Sequence, residues 1–365
     1  MAPARTYLDH NATSSLRPKA RAAMLAALEL GGNASSVHTE GRAARAAIDE
    51  AREVIARTLG VIPPMVVFTS SGTEANNFAV KSTPVGRLLV SAIEHPSVIE
   101  AAGASGKPVE FIPVDRNGLV DLTALDRMLG TGPQALISMM LANNETGVIE
   151  PLRDVVAIGR KHDALIHTDA VQALGKIPVN FGSLGVDLMS ISAHKLGGPV
   201  GVGALIIRDG LTIEPLIHGG GQEHRRRAGT ENAAAIAGFA AAVSEKLFEI
   251  GNLRDLLESR LEDAVFIGRG VERLPNTTCV AWPGTAAETL VMAFDLDGIA
   301  ISSGSACSSG KVARSHVLAA MGLAPEIVGG AIRVSLGWNT TEQEIDRFVA
   351  VAKSITARRR ARIAA

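Results

Sequence analysis

A lysine set between apolar strands is a candidate nucleophile. Lys195 lies in the run Ser190 to Pro199, after the apolar stretch Val186 to Ile191 and before Val200 to Ile207. The pattern predicts a strand, a tight loop and a second strand. Apolar strands would hold the lysine stem on both sides, and Gly197 and Gly198 add no side-chain bulk beside it. Burial disfavours the ammonium form, so the amine becomes a better nucleophile at neutral pH. That chemistry suits a Schiff-base lysine for a carbonyl cofactor. An ordinary loop lysine beside a hairpin turn accounts equally for this stretch alone.

Other residues offer complementary chemistry. Ser70-Ser71-Gly72-Thr73-Glu74 joins a short apolar strand to a helix. Backbone N–H groups at a helix N-terminus, with a glycine for close approach and a hydroxyl beside it, bind phosphate. A Thr N-cap is the plainer account. Glu94-His95-Pro96 places an imidazole between a strand and a helix, where it can stack on a flat ring, shuttle a proton or simply sit in the core. Asp169 ends the apolar run Leu165-Ile166-His167-Thr168. A buried carboxylate needs a cationic partner, and a pyridinium N–H is one; capping the next turn is the alternative. Arg333 alternates within the strand-like Ala331 to Leu336, where a substrate carboxylate or a structural salt bridge could be its anion.

There are two cysteines. Cys307 lies in the small, polar stretch Ile301 to Gly310, where a thiolate can form and attack. Cys279 sits in a β-like apolar run and reads as packed. Gly304 to Lys311 approaches a P-loop pattern but has one residue too many between the glycines, with Val312 where Ser or Thr is required. No cysteine and histidine spacing suggests structural zinc.

The elements that must position these residues alternate. Short apolar strands follow amphipathic helices from Val66 to Ile207, which predicts an α/β chain with a mostly parallel sheet covered on both faces. On such sheets ligands gather at the carboxyl ends of strands, and the polar clusters at Gly72-Thr73, Asn143-Asn144, Asp169 with Gln172, and Ser192 to Lys195 all fall there. After the glycine- and charge-rich loop Gly219 to Thr230, the remainder reads as a smaller α+β domain. The 365 residues predict two domains: a large one over 14–248, and a small one formed by 1–13 and 249–365 that carries the Cys307 loop.

Composition narrows the class. The chain is 47% hydrophobic but only 3% aromatic, so its core must be Ala, Val, Leu and Ile. A net charge of -1 argues against bulk electrostatic binding to nucleic acid or membrane. The N-terminus has no apolar signal region, and no apolar run approaches the ~18 residues of a spanning helix. Cysteine usage does not make a disulfide framework. A soluble protein of the reducing cytoplasm is expected. The basic stretch Arg358 to Arg362 reads as a solvated helix end rather than a nucleic-acid patch.

Taken together, Tyr7 to Thr13, Thr69 to Asn77, Glu94-His95, Asn143 to Gly147, His167 to Gln172, Ser192 to Lys195 and Arg227 to Asn232 stand in an order that resembles class V, fold-type I pyridoxal-phosphate enzymes. Ser302 to Cys307 resembles the active-cysteine loop of the NifS/IscS group of cysteine desulfurases. The resemblance implies a fold-type I large domain plus a small domain, and a homodimer. It implies that Lys195 holds pyridoxal 5'-phosphate covalently, that Asp169 pairs with the ring nitrogen and that His95 stacks on the ring. Gln172 and Asn144 would lie near the ring hydroxyl, and Gly72, Thr73, Ser192 and His194 would bind the phosphate. Thr230 would reach the phosphate of the partner subunit. Arg333, with Asn11 close by, would hold the carboxylate of L-cysteine, and Cys307 would take its sulfur as a persulfide. The sulfur would pass to an acceptor such as an iron–sulfur scaffold protein. A selenocysteine lyase, a class V aminotransferase and a catalytically idle sulfur carrier are the alternatives. Two positions depart from the pattern: His224 stands where the group has arginine, and Arg225 where it has a small residue.

Overall fold

The computed structural model describes residues 5–246, 250–303 and 314–364, with side chains as far as Arg358. Among the described residues thirteen strands follow one another: β1 (Thr6–Tyr7), β2 (Val66–Thr69), β3 (Arg87–Ser91), β4 (Val109–Ile112), β5 (Ala135–Ser138), β6 (Leu165–Asp169), β7 (Leu188–Ser192) and β8 (Gly203–Ile207), then β9 (Val265–Ile267), β10 (Thr277–Ala281), β11 (Ile299–Ala300), β12 (Ser302–Ser303) and β13 (Ala331–Ser335). Seven of them form a sheet in the order β2-β8-β7-β6-β5-β3-β4. From β7 to β4 every pair is parallel; β8 runs antiparallel to both its neighbours. Those two antiparallel steps return β2 to the direction of the parallel strands. Its carboxyl end therefore opens on the same edge as theirs.

Both faces of this sheet are covered, as the unbroken apolar runs predict. Leu88, Val90, Leu136, Leu188 and Leu205 face one core with Phe78. The alternate residues Leu89, Ile137, Met189 and Ile206 face the other with Ile48 and Phe239. Period-two alternation explains how one strand feeds two cores. Helix α1 (Pro18–Leu28) starts at a proline, whose missing N–H costs nothing there. Helix α2 (Thr39–Leu59) keeps Ala44, Ile48, Ala51, Ile55 and Leu59 on its buried face. It stops at Gly60, which has φ +69° and packs so tightly on Asn180 that a Cβ would lie 2.2 Å from Nδ2. Helix α3 (Gly72–Ser82) begins two residues earlier than the sequence suggested, because Ser71 Oγ accepts the N–H of Glu74 and caps it. Helix α4 (Pro96–Gly103) is capped by His95, whose ring accepts the N–H of Ser97.

A second sheet, β12-β13-β10-β9, is antiparallel. It lies over a separate core in which Phe294 and Phe348 stack with centroids 4.8 Å apart, beside Trp282. Burying an aromatic ring of this kind is worth roughly 2–3 kcal/mol. The N-terminal β1 pairs in parallel with β11, and Asp9 bridges to Ser335. The chain's beginning is thus stitched to the part formed by its end. Among the described residues, no helix is long and apolar enough to cross a membrane.

Candidate active site

At the carboxyl edge of the large sheet lies a cavity of about 340 Å³. Its walls include Asn11, Gly72, Thr73, His95, Asn144, Asp169, Gln172, Ser192, His194, Lys195 and Arg333. Every site residue expected from the sequence is there except two. Thr230 is exposed on the glycine-rich loop and is not part of this wall. Cys307 lies outside the described residues.

Lys195 ends a short turn, Ala193–Lys195, directly after β7. It is half-buried, and its Nζ donates to the carbonyls of Asn11 at 2.7 Å and Ala12 at 2.8 Å. The N-terminal segment, rather than a flanking strand, therefore holds the amine.

One part of the cavity is built for an anion. Helix α3 opens on it, presenting its first N–H groups. Gly72 cannot carry a side chain there: a Cβ would lie 2.9 Å from Val171 and 3.3 Å from Ser192. Ser192 Oγ is buried without a protein partner. A buried hydroxyl left unpaired costs on the order of 1–3 kcal/mol, which a ligand oxygen would recover. Burial and the neighbouring Lys195 and Lys176 hold the His194 ring down to about 4, so at neutral pH it offers one N–H donor.

The remaining groups are also fixed from behind. Asp169 is 7% exposed; one oxygen accepts the N–H of Val171 at 2.9 Å and the other the Asn76 amide at 2.7 Å. Asp169 thus caps its own turn and still faces the cavity. The other end of the Asn76 amide, Oδ1, is buried and unpartnered. Beneath them Glu94 is fully buried; its carboxyl is raised well above its usual range by burial, then by the charge of Asp169. His95 is lowered, first by burial and then by Lys195, His316 and Arg333, against the pull of Asp169. Its Nδ1 accepts the N–H of Ser97, so the neutral ring carries its proton on Nε2.

Arg333 comes from β13 and reaches the cavity across the sheets. Its Nη2 pairs with Asp9 at 2.8 Å and its Nη1 donates to the Asn144 carbonyl at 3.1 Å; Nε is buried without a partner. A salt bridge is present, and it leaves other N–H groups of the guanidinium, Nε–H among them, to donate. Asn11 differs from expectation. Its Nδ2 is engaged with the Asn144 carbonyl at 3.2 Å and Thr277 Oγ1 at 2.9 Å, so no side-chain donor is left over for a substrate carboxylate. Asn11 instead ties the cavity floor together.

Several wall or support residues escaped the sequence reading: Ser71, Asn76, Ser97, Asp9 and Lys176. Asn76 follows Gly72-Thr73 by one helical turn, and that spacing was the available signal. Lys176 stands four residues after Gln172, yet its burial depends on contacts from residues far away in sequence.

The loop with the two departures has an unusual backbone. Glu223, His224 and Arg225 have φ of +45°, +55° and +64° in succession. The small residue expected at position 225 is thus explained by left-handed geometry. Glu223 nevertheless anchors the loop: buried, it accepts two bonds from Arg52 at 2.7 and 2.8 Å and the N–H of Phe68 at 2.9 Å. Arg227 binds Glu74 on α3 at 2.8 Å, beside the anion cradle.

A family model described as Aminotransferase class-V matches residues 6–348. A protein named cysteine desulfurase IscS, from Dictyoglomus turgidum, is 43% identical over 370 residues, covering 96% of this chain and 94% of that one. Among solved structures, a NifS-like protein from Rickettsia africae has a TM-score of 0.90 at 37% identity, covering 97% of this chain and 100% of that one. A structure described as SspA in complex with cysteine has a TM-score of 0.82 at 31% identity, covering 92% of this chain and 100% of that one.

Proposed function

The chain belongs to the class-V aminotransferase family, and we propose that it is a cysteine desulfurase that holds pyridoxal phosphate in the cavity at the sheet edge. The carrying observation is the wall of that one cavity, which combines an anion cradle at Gly72 and Ser192, a carboxylate at Asp169 and an amine at Lys195. Pyridoxal phosphate has a phosphate, a basic ring nitrogen and an aldehyde, one for each. The desulfurase names of the relatives and the cysteine held by the SspA structure support the substrate.

In this reading Gly72, Thr73, Ser192 and His194 hold the phosphate. Asp169 keeps the ring nitrogen protonated, braced by Asn76. His95 stacks on the ring, and Asn144 and Gln172 meet its oxygen. When bound, the cofactor supplies an electron sink for the substrate carbons. Arg333 takes the carboxylate of L-cysteine, oriented by Asp9 and with Asn11 beside it. Lys195 would hold the cofactor at its aldehyde and would move the Cα proton of the substrate. The Cys307 thiolate attacks the substrate sulfur: an S–S bond forms, the Cβ–S bond breaks, and its electron pair stays with the carbon fragment. After protonation that fragment leaves as L-alanine, and Cys307 carries the persulfide. Thr230 serves the phosphate of the partner subunit in a homodimer. We assign 14–248 to the cofactor domain and 1–13 with 249–365 to the small domain. The protein would act in the cytoplasm and hand sulfur to an acceptor such as an iron–sulfur scaffold.

The test is a mass spectrum of the protein after L-cysteine. Sulfur added to the Cys307 peptide, with sulfide and alanine appearing when a reductant is present, is the expected result. Full sulfide release by Cys307→Ala would remove the assigned nucleophile and favour another lyase chemistry.

A further inference from the structure

Lys176 is 2% exposed and lies on the tight turn that follows Asp169. Gly175, at φ +81°, turns the chain against Leu196, leaving no room for a side chain: a Cβ would be 2.8 Å from Leu196 Cβ. The turn sends the Lys176 amine back beneath the cavity wall. There Nζ donates to Gln172 Oε1 at 2.6 Å and to Asn11 Oδ1 at 2.7 Å. Both partners are neutral amides, although a buried cation ordinarily finds a carboxylate. Burial, and after it the cationic neighbours Lys195 and Arg333, push the Lys176 amine well below its usual range. Such a costly placement calls for a role beyond packing.

An amide side chain has one accepting and one donating end of nearly equal shape, so its neighbours decide which way it faces. Gln172 is held at both ends, because Nε2 donates to the Asn11 carbonyl at 3.0 Å. Flipping it would set N–H against Nζ and oxygen against a carbonyl. Nε2 therefore keeps one further N–H, and Gln172 lines the cavity. The same amine fixes Asn11, whose backbone carbonyl receives Lys195. A neutral amine still has an N–H for each of its two acceptors, so the arrangement does not depend on charge.

We propose that Lys176 is a positioning residue of the cofactor site, one that locks the Gln172 amide so that an N–H, and not an oxygen, meets the ring oxygen of the bound cofactor. The proposal rests on the cofactor reading above. An N–H donor stabilises the anionic form of that oxygen and weakens its hold on a shared proton. Losing a hydrogen bond to a charged group moves a proton equilibrium by about tenfold or more.

The experiment is a pH titration of the visible absorbance of the reconstituted holoenzyme. Lys176→Met is expected to raise the midpoint by about one pH unit, a tenfold change. Gln172→Leu should raise it similarly, and the double variant should add little, because both act through one contact. Gln172→Glu, which keeps Lys176 and removes the donor, provides the same readout if Lys176→Met fails to fold, and should also raise the midpoint. An unchanged midpoint in a folded, cofactor-bound Lys176→Met, or in Gln172→Glu, overturns the proposal while leaving the cofactor reading intact. A wild-type chain that takes up no pyridoxal phosphate overturns that reading, and this proposal with it.

Discussion

Removing the Glu223 carboxylate should uncouple the glycine-rich loop from the large sheet at a calculable cost. Its side chain is 1% exposed and that of Arg52 5%. Glu223 accepts three hydrogen bonds, two from the guanidinium and one from the Phe68 N–H. In Glu223→Ala, Arg52 keeps the Val66 carbonyl at 2.6 Å and its place over the Phe68 ring at 4.7 Å, but no counter-ion. Stranding a buried charge in this way costs about 3–5 kcal/mol. Arg52→Met alone should cost a similar amount, since it strands the carboxylate. The double variant Arg52→Met with Glu223→Ala leaves no charge behind, and methionine can cover Phe68, so its cost should fall to roughly 1–2 kcal/mol plus the unpaired Phe68 N–H. The singles then sum to about 6–10 kcal/mol, and the double variant should fall short of that sum by at least about 1 kcal/mol. Equilibrium urea unfolding of the four proteins, each loaded with cofactor, measures it. A double variant whose loss equals the sum of the singles would refute this account of the anchor.

Three further outcomes follow from other parts of the structure. Arg225→Gly should relieve a left-handed backbone that costs a non-glycine residue about 1–2 kcal/mol, partly offset by glycine's entropy, and raise the melting temperature slightly; a lower melting temperature would show that Arg225 contributes contacts worth more than its strain. The Glu150 carboxyl is pushed up to about 8 by burial and by Asp115, against the Val120 N–H that it accepts. The folded state therefore binds the extra proton between about 4.5 and about 8, and stability falls as pH rises through that window. Glu150→Gln should remove up to about 1.4 kcal/mol per pH unit of that slope, read from denaturation midpoints across the window. Lys195→Ala should abolish both the cofactor's borohydride-reducible attachment and alanine formation; a retained reducible attachment would place the Schiff base on another lysine.

The sheet was legible because buried parallel strands are short apolar runs separated by amphipathic helices, and Leu88 to Ser91 or Leu188 to Ser192 can be read with no other information. The cavity wall was legible where a motif marks a strand end, as at Asp169 and Lys195. What supports the wall was not. Arg333 could be read as needing an anion, but nothing near it in sequence names Asp9, 324 positions away. Lys176 looks like any lysine after a glycine until Asn11, from the other end of the chain, arrives beneath it. The capping hydroxyl was misplaced by two residues, since Ser71 and Thr73 are equally good caps by type and only the helix start decides between them.

The pairing of β1 with β11, and of Asp9 with Ser335 and Arg333, also has a consequence for biosynthesis. Residues that leave the ribosome first find their partners only when some of the last have been made. The large sheet can assemble during translation, since its strands end at Ile207. The segment around Asn11 has partners in the large part, Gln172 and Lys176, but Arg333 and the strands that hold Thr6 to Asp9 emerge only with residues 299–335. Completion of the cavity wall should therefore be a late event in the life of the chain, and a truncated product that has already built the large sheet would lack the Arg333 side of the cavity.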